Sequence, residues 1–120
     1  MNLTQLIGNL NTIQEEKNKV IAQIAENFYK IGNFDVGRQV FEELCKNQKA
    51  EYIFKWTEME EKYCTHDLVV DLYQMLCNRQ YDSQKKQKIL KGLLKKYYDY
   101  EKKQNGDVRS VQELAQRLAE

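Results

Sequence analysis

The chain contains no proline and only five glycines among 120 residues. It is therefore poor in the residues that make tight turns, which argues against a sheet of many hairpin-linked strands. One histidine and three cysteines, Cys45, Cys64 and Cys77, are too few and too irregularly spaced for a zinc cluster. An odd thiol count also gives no disulfide framework, and a reducing, intracellular setting follows from it. The glycines are scattered singly, with no G-x-G or GK[ST] string to cradle phosphates, so nucleotide hydrolysis is disfavoured. No apolar run approaches the roughly 20 residues of a membrane span. The opening MNLTQLIGNLNTIQEEK has neither a basic leader nor an unbroken apolar stretch. The expectation is a soluble protein with no membrane partner, metal, cofactor or small-molecule substrate.

A one-sided charge is also missing, since 19 basic residues face 18 acidic ones for a net charge of +1. The balance shifts along the chain. Residues 1–60 hold seven basic and nine acidic groups, and residues 61–120 hold twelve and nine. Any acidic partner is therefore expected at the C-terminal half.

What the chain does have is apolar residues at helical spacing almost throughout, 42% hydrophobic against 31% charged. At 120 residues it fits one domain, residues 1–120. The pattern predicts about seven helices. The first spans residues 2–10, through Leu3, Leu6, Ile7 and Leu10. Thr12 with Glu15 has the form of a capping box and would start a second, running to Ile31. Gly32–Asn33 supplies a stop and a new cap, and a third helix reaches Asn47. Tyr52, Ile53, Trp56 and Met59 define a fourth, and Thr65 caps a fifth over His66–Asn78. Ser83 caps a sixth containing Ile89, Leu93, Tyr97 and Tyr100. After Asn105–Gly106–Asp107, a seventh uses Val108, Val111, Leu114, Ala115 and Leu118.

These helices are organised by a repeat. An apolar pair followed three residues later by leucine occurs at Leu6-Ile7/Leu10, Val40-Phe41/Leu44, Leu72-Tyr73/Leu76 and Leu114-Ala115/Leu118, at intervals of 34, 32 and 42 residues. Ahead of the last three stand Ala25-x-x-Phe28, Trp56-x-x-Met59-Glu60 and Tyr97-x-x-Tyr100-Glu101. Periods in the thirties belong to stacked helical hairpins. In such a stack the large residue of each leading helix and the apolar pair of each following helix bury one another. The expected repeat core is Phe28, Phe41, Leu44, Trp56, Met59, Tyr73, Leu76, Tyr97, Tyr100 and Leu114. The first element would be half a hairpin, which implies a preceding neighbour.

KWTEMEEKY, KKYYDYEKKQNGD and GRQVFEEL resemble the two elements of half-a-TPR repeats, found in RNA-processing proteins. More narrowly, VIAQIAENFYKIGNFDVGRQVFEEL and LLKKYYDYEKKQNGDVRSVQELAQRLAE resemble the C-terminal repeats of the ribosomal RNA processing protein five family. The agreement in order and spacing covers about residues 3–120. Tyr29 stands where the first leading helix has glutamate in that pattern, and Val69 and Val70 where the second following helix has alanine and arginine. The family's S1-type RNA-binding domains are not in this chain. The resemblance implies a right-handed α-solenoid of antiparallel hairpins. It also implies a nuclear, nucleolar scaffold in rRNA processing and small-subunit ribosome biogenesis, with protein partners in a ribonucleoprotein assembly and RNA as a further candidate. Alternatives are a half-a-TPR module of mRNA 3′-end processing or splicing, or a TPR-like adaptor or chaperone.

No catalytic constellation emerges. His66 reads as a first-turn surface residue, and Cys64 beside it lacks the local motif that would activate a thiol. Cys45 and Cys77 read as small buried hydrophobes. Glu58, Glu60 and Glu61 read as a solvated face, with Glu60 bonding inside its hairpin. The main candidate contact surface is on the sixth helix. At 100° per residue Lys88, Lys91, Lys95 and Lys102 share a sector opposite Ile89, Leu93 and Tyr97. That stripe would meet RNA phosphates or an acidic partner, with Tyr81 and Tyr98 available to stack on bases. A merely solvated face is the plain alternative.

Overall fold

The computed structural model describes residues 2–119, which form six α-helices and no strand. The helix α1 runs unbroken over Leu3–Lys30 where two were expected. Its cap is a box ten residues earlier than anticipated: Gln5 N–H donates to Asn2 Oδ1 at 2.8 Å, and Asn2 N–H to Gln5 Oε1 at 3.2 Å. The expected box fails because its members have other partners. Thr12 Oγ1 donates back to the Gly8 carbonyl at 3.0 Å inside the helix, while Glu15 pairs with Lys49. Nothing between Leu10 and Glu15 is a strong breaker, so the helix continues.

The stops fall where the sequence put them. Gly32 takes φ +84°, with Gly32 N–H donating to the Tyr29 carbonyl and Asn33 N–H to that of Phe28, a Schellman ending. Asn105, at φ 55°, ends α5 with the same pair of bonds, and Gly106 N–H reaches the Glu101 carbonyl at 2.7 Å. Between these lie α2 (Phe34–Leu44), a 3₁₀ turn (Cys45–Asn47), α3 (Ala50–Tyr63), α4 (His66–Asn78) and α5 (Ser83–Lys103); α6 (Val108–Ala119) closes the fold. Asn33 and Thr65 occupy cap positions without side-chain bonds, and Asp82 instead of Ser83 precedes α5.

Short turns fold α2 back on α1, α4 on α3 and α6 on α5, and each pair packs on the next through α1–α3–α5. Aromatic residues of the expected core stack between successive hairpins, twice in the same form. Phe41 stacks on Trp56 at 6.0 Å and 10°, and Tyr73 stacks on Tyr97 at 4.9 Å and 4°. In each case an aromatic of one hairpin's second helix meets the leading aromatic of the next hairpin, so hairpins cohere through stacked rings. Leu44, Leu76, Tyr100 and Leu114 are buried as expected, whereas Met59 is only partly so. Phe28 is displaced from the core by its neighbour Tyr29, which is fully buried. The leading apolar set Leu6-Ile7/Leu10 is exposed, because no helix covers that part of α1.

Tyr29 wins the buried place through three helices. Its hydroxyl donates to Glu60 on α3 and accepts from Trp56 Nε1 at 3.2 Å. Arg38 on α2 donates to the same carboxylate, Nε at 2.6 Å and Nη2 at 3.3 Å. Gly37 makes this approach possible: a Cβ there would lie 2.8 Å from the Tyr29 ring. Glu60 therefore bonds to the preceding hairpin, not within its own.

One repeat later the knot is incomplete. Glu101 holds the place of Glu60, but Val70 stands where Arg38 stands in the repeat. Glu101 is buried and its Oε1 has no hydrogen-bond partner; His66 Nε2 is 3.6 Å away. Val70→Arg is expected to supply the missing donor and stabilise the fold by about 1 kcal/mol. Thermal denaturation should register a rise in Tm of about 3–6 °C, which a Glu101→Gln background should largely remove.

Candidate functional site

The buried positions of α5 are Ile89, Leu90, Leu93, Tyr97, Tyr100 and Glu101. They fix the rotation of the helix and turn the opposite side outward. Lys88, Lys91, Lys95 and Lys102 are all exposed there, as their spacing predicts. Among the described residues none of the four has an ion-pair partner. Other lysines near them are occupied: Lys96 pairs with Glu58 at 2.9 Å and lies over the Phe54 ring, and Lys85 donates to the Asn47 carbonyl at 3.1 Å. From Lys88 to Lys102 the stripe spans about 21 Å of helix.

At its N-terminal end Lys88 borders an open groove between α3 and α5, with Gln48, Lys49, Ala50, Glu51, Gln84, Lys85 and Ile89. Four ammonium groups without an ion-pair contact, with Asp99 as the one acid on that side of the helix, give a local positive field that the net charge of +1 conceals. The tyrosines do not join it. Tyr81 donates its hydroxyl to the Leu76 carbonyl at 2.7 Å, and Tyr98 packs partly against the core.

His66 does have a partner that the sequence did not reveal. Its ring stacks on Tyr100 at 5.5 Å, with Nδ1 hydrogen-bonded to the Tyr100 hydroxyl at 3.0 Å. That contact joins residues 34 apart, and only the tertiary fold creates it. Cys64 faces elsewhere, its sulfur accepting from Arg38 Nη2 at 3.3 Å. Burial, and then the nearby Glu60 charge, push its thiol up to about 11, which opposes thiolate formation. No three His, Cys, Asp or Glu side chains among the described residues are grouped to hold a metal ion. None of the described helices is long and apolar enough to cross a membrane.

A second surface escaped the sequence reading. Between α2 and α4 lies a groove of about 580 Å³ bordered by Arg38, Gln39, Glu42, Glu43, Asp71 and Leu72, among others. Leu68 and Met75, each 40% exposed, give it an apolar wall. Arg79 crosses one end to Glu42 at 2.7 Å. The signal was present as apolar residues on the outer side of α4, but only the position of α2 makes them a groove.

Buried acids give the fold an alkaline limit. Burial is the first cause that raises Cys45 and Cys77 from 9.0 to about 12, and it also raises the Tyr29, Tyr73 and Tyr81 phenols above their usual 10.0. Each group is held neutral in the fold and ionises more readily unfolded. Their contribution is complete below the unfolded values and is lost as pH rises through 9–10 and beyond. Urea midpoints should stay level up to about pH 9 and then fall steeply, with tyrosinate absorbance appearing together with loss of helix. Free titration of all tyrosines at their usual pH in the folded protein would contradict this.

No protein-family model, curated protein or solved structure matches the chain.

Proposed function

We propose that this protein is a non-catalytic scaffold of a ribonucleoprotein assembly. The lysine face of α5 contacts RNA phosphates, and the remaining helical surface docks protein partners. The observation that carries the reading is the set of four exposed lysines without ion-pair partners, set on a helix whose other side is locked into the core. Phosphate contact requires cations that are charged, accessible and not already neutralised, and this face meets all three conditions. The groove between α2 and α4, with half-exposed Leu68 and Met75 inside a polar rim, supports the protein-docking part.

The finer assignment rests on the half-a-TPR resemblance of KWTEMEEKY, KKYYDYEKKQNGD and GRQVFEEL. It places the scaffold in a right-handed solenoid of the ribosomal RNA processing protein five kind, acting in the nucleolus on small-subunit precursors. The repeated ring stacking of Phe41 on Trp56 and Tyr73 on Tyr97 supports a hairpin repeat of this type.

Ultraviolet crosslinking of the protein to single-stranded RNA, followed by peptide mapping, tests the contact. Crosslinked peptides should come from α5, and crosslinks confined to other helices would reject the interface. In cells, depletion should leave small-subunit rRNA precursors unprocessed. A defect in mRNA 3′ ends or splicing without one in rRNA would instead assign the module to that machinery.

A further inference from the structure

The helix α1 has a buried face and a second, separate apolar face, and only the first is covered. Asn18, Ala22, Ala25 and Tyr29 are buried against the rest of the fold. On the second face Leu3, Leu6, Leu10, Ile13, Lys17, Val20 and Ile24 follow one another at alternating intervals of three and four residues. That is an unbroken heptad seam, with Leu3, Leu10, Lys17 and Ile24 at a and Leu6, Ile13 and Val20 at d. Its apolar members are open to solvent: Leu3 is 71% exposed, Leu10 58%, Ile13 63% and Val20 55%.

Every residue from Asn2 to Gln14 is exposed, so no other helix covers the first turns of α1. On its own this segment is a poor helix. It contains Gly8, Asn9, Asn11, Thr4 and Thr12 and not one charged side chain, so it has low propensity and no ion pairs along its surface. A lone helix of that length is marginal in water. The exposed surface of the seam's apolar residues is on the order of 600 Å², at the top of the range for the largest patch of an ordinary monomer and about three quarters of one side of a standard interface, roughly 800 Å².

We infer that α1 pairs with α1 of a second copy of this chain in a parallel, in-register two-stranded coiled coil. Three observations select a second copy. A heptad seam fits another helix of the same period, and this chain supplies one. The flanking positions of the first turns, Ile7, Asn9 and Gln14, are uncharged, so no like charges meet along those turns and no strongly acidic or basic partner is favoured. Lys17, the one charge within the seam, faces Lys17 of the second copy across the a layer and stands beside that copy's Glu16. Both are solvent-exposed, and Glu16 otherwise has only a loose 3.9 Å contact with Lys19. The two mutual Lys17–Glu16 pairs offset the cost of seating lysine at a, and they fix the register. An antiparallel pair would set Lys17 in a layer with an apolar d residue and lose that compensation.

Light scattering and sedimentation equilibrium on the full chain test the inference. The expected mass is twice 14.4 kDa, dissociating on dilution. Leu10→Asp with Ile13→Asp should give a monomer whose core remains folded, since both sites lie outside it. Near-ultraviolet circular dichroism and the thermal transition of the body check that. Lys17→Ile should tighten the dimer at least tenfold, and Lys17→Glu should weaken it at least tenfold. Leu6→Cys should crosslink between copies on oxidation. A wild-type monomer across a hundredfold concentration range, or a dimer untouched by the aspartates, would overturn the coiled coil. A dimer that Leu6→Cys does not crosslink would overturn its parallel register.

Discussion

Changing Lys88, Lys91 and Lys95 together to glutamate is expected to weaken binding to single-stranded RNA by about two orders of magnitude or more at physiological salt. Three favourable ammonium–phosphate contacts become three repulsions, while the fold should be unaffected because all three side chains are exposed. The control is an equal charge change elsewhere. Lys30, Lys46 and Lys62 are exposed outside α5, and Lys46 is already paired with Glu43 at 2.8 Å. Reversing those three should cost no more than about threefold, the residual effect of net charge. Fluorescence anisotropy with labelled RNA separates the two cases. Equal losses for both triples would mean that net charge, not the α5 face, governs binding.

The largest stability effect is expected from Arg38→Ala. Glu60 is fully buried, and Arg38 provides its two guanidinium bonds at 2.6 and 3.3 Å, with the Tyr29 hydroxyl and the Cys64 thiol as neutral donors. Without Arg38 a buried carboxylate is left with neutral donors and no cation, which costs about 3 kcal/mol. Tm should fall by about 10–15 °C. Because the penalty arises from the stranded charge, adding Glu60→Met to Arg38→Ala should recover part of the loss. A buried pair is costly to break yet cheap to replace. If the double variant is less stable than Arg38→Ala, Glu60 contributes by packing and the charge account is wrong.

The residues that make this knot also show which features the sequence could reveal. The burial of Phe41, Trp56, Tyr73 and Tyr97 was legible because a large apolar residue recurs at a fixed offset in each hairpin, whereas their stacking between successive hairpins appears only in the fold. The lysine face was legible for the same reason, since one rotation of α5 places its apolar side inward and Lys88, Lys91, Lys95 and Lys102 outward. Tyr29 was not legible. Its neighbour Phe28 is the more apolar of the two, and the choice depends on Arg38, Trp56 and Glu60 converging from two other helices. His66 meets Tyr100 only through the packing of α4 on α5. The continuity of α1 was missed because Thr12–Glu15 has the composition of a cap, while the competing partners Gly8 and Lys49 appear only once the chain is folded. The same misreading assigned Leu6, Ile7 and Leu10 to a packed repeat, when they lie on an uncovered seam.

The salt dependence of RNA affinity tests the central claim of a phosphate-contacting lysine face most directly. With four lysines engaged on single-stranded RNA, the logarithm of the association constant should fall against the logarithm of salt concentration with a slope of about −3. The triple glutamate variant should retain a slope of about −1 or less in magnitude. A wild-type slope near zero, or one that the triple variant leaves unchanged, would contradict the interface on α5.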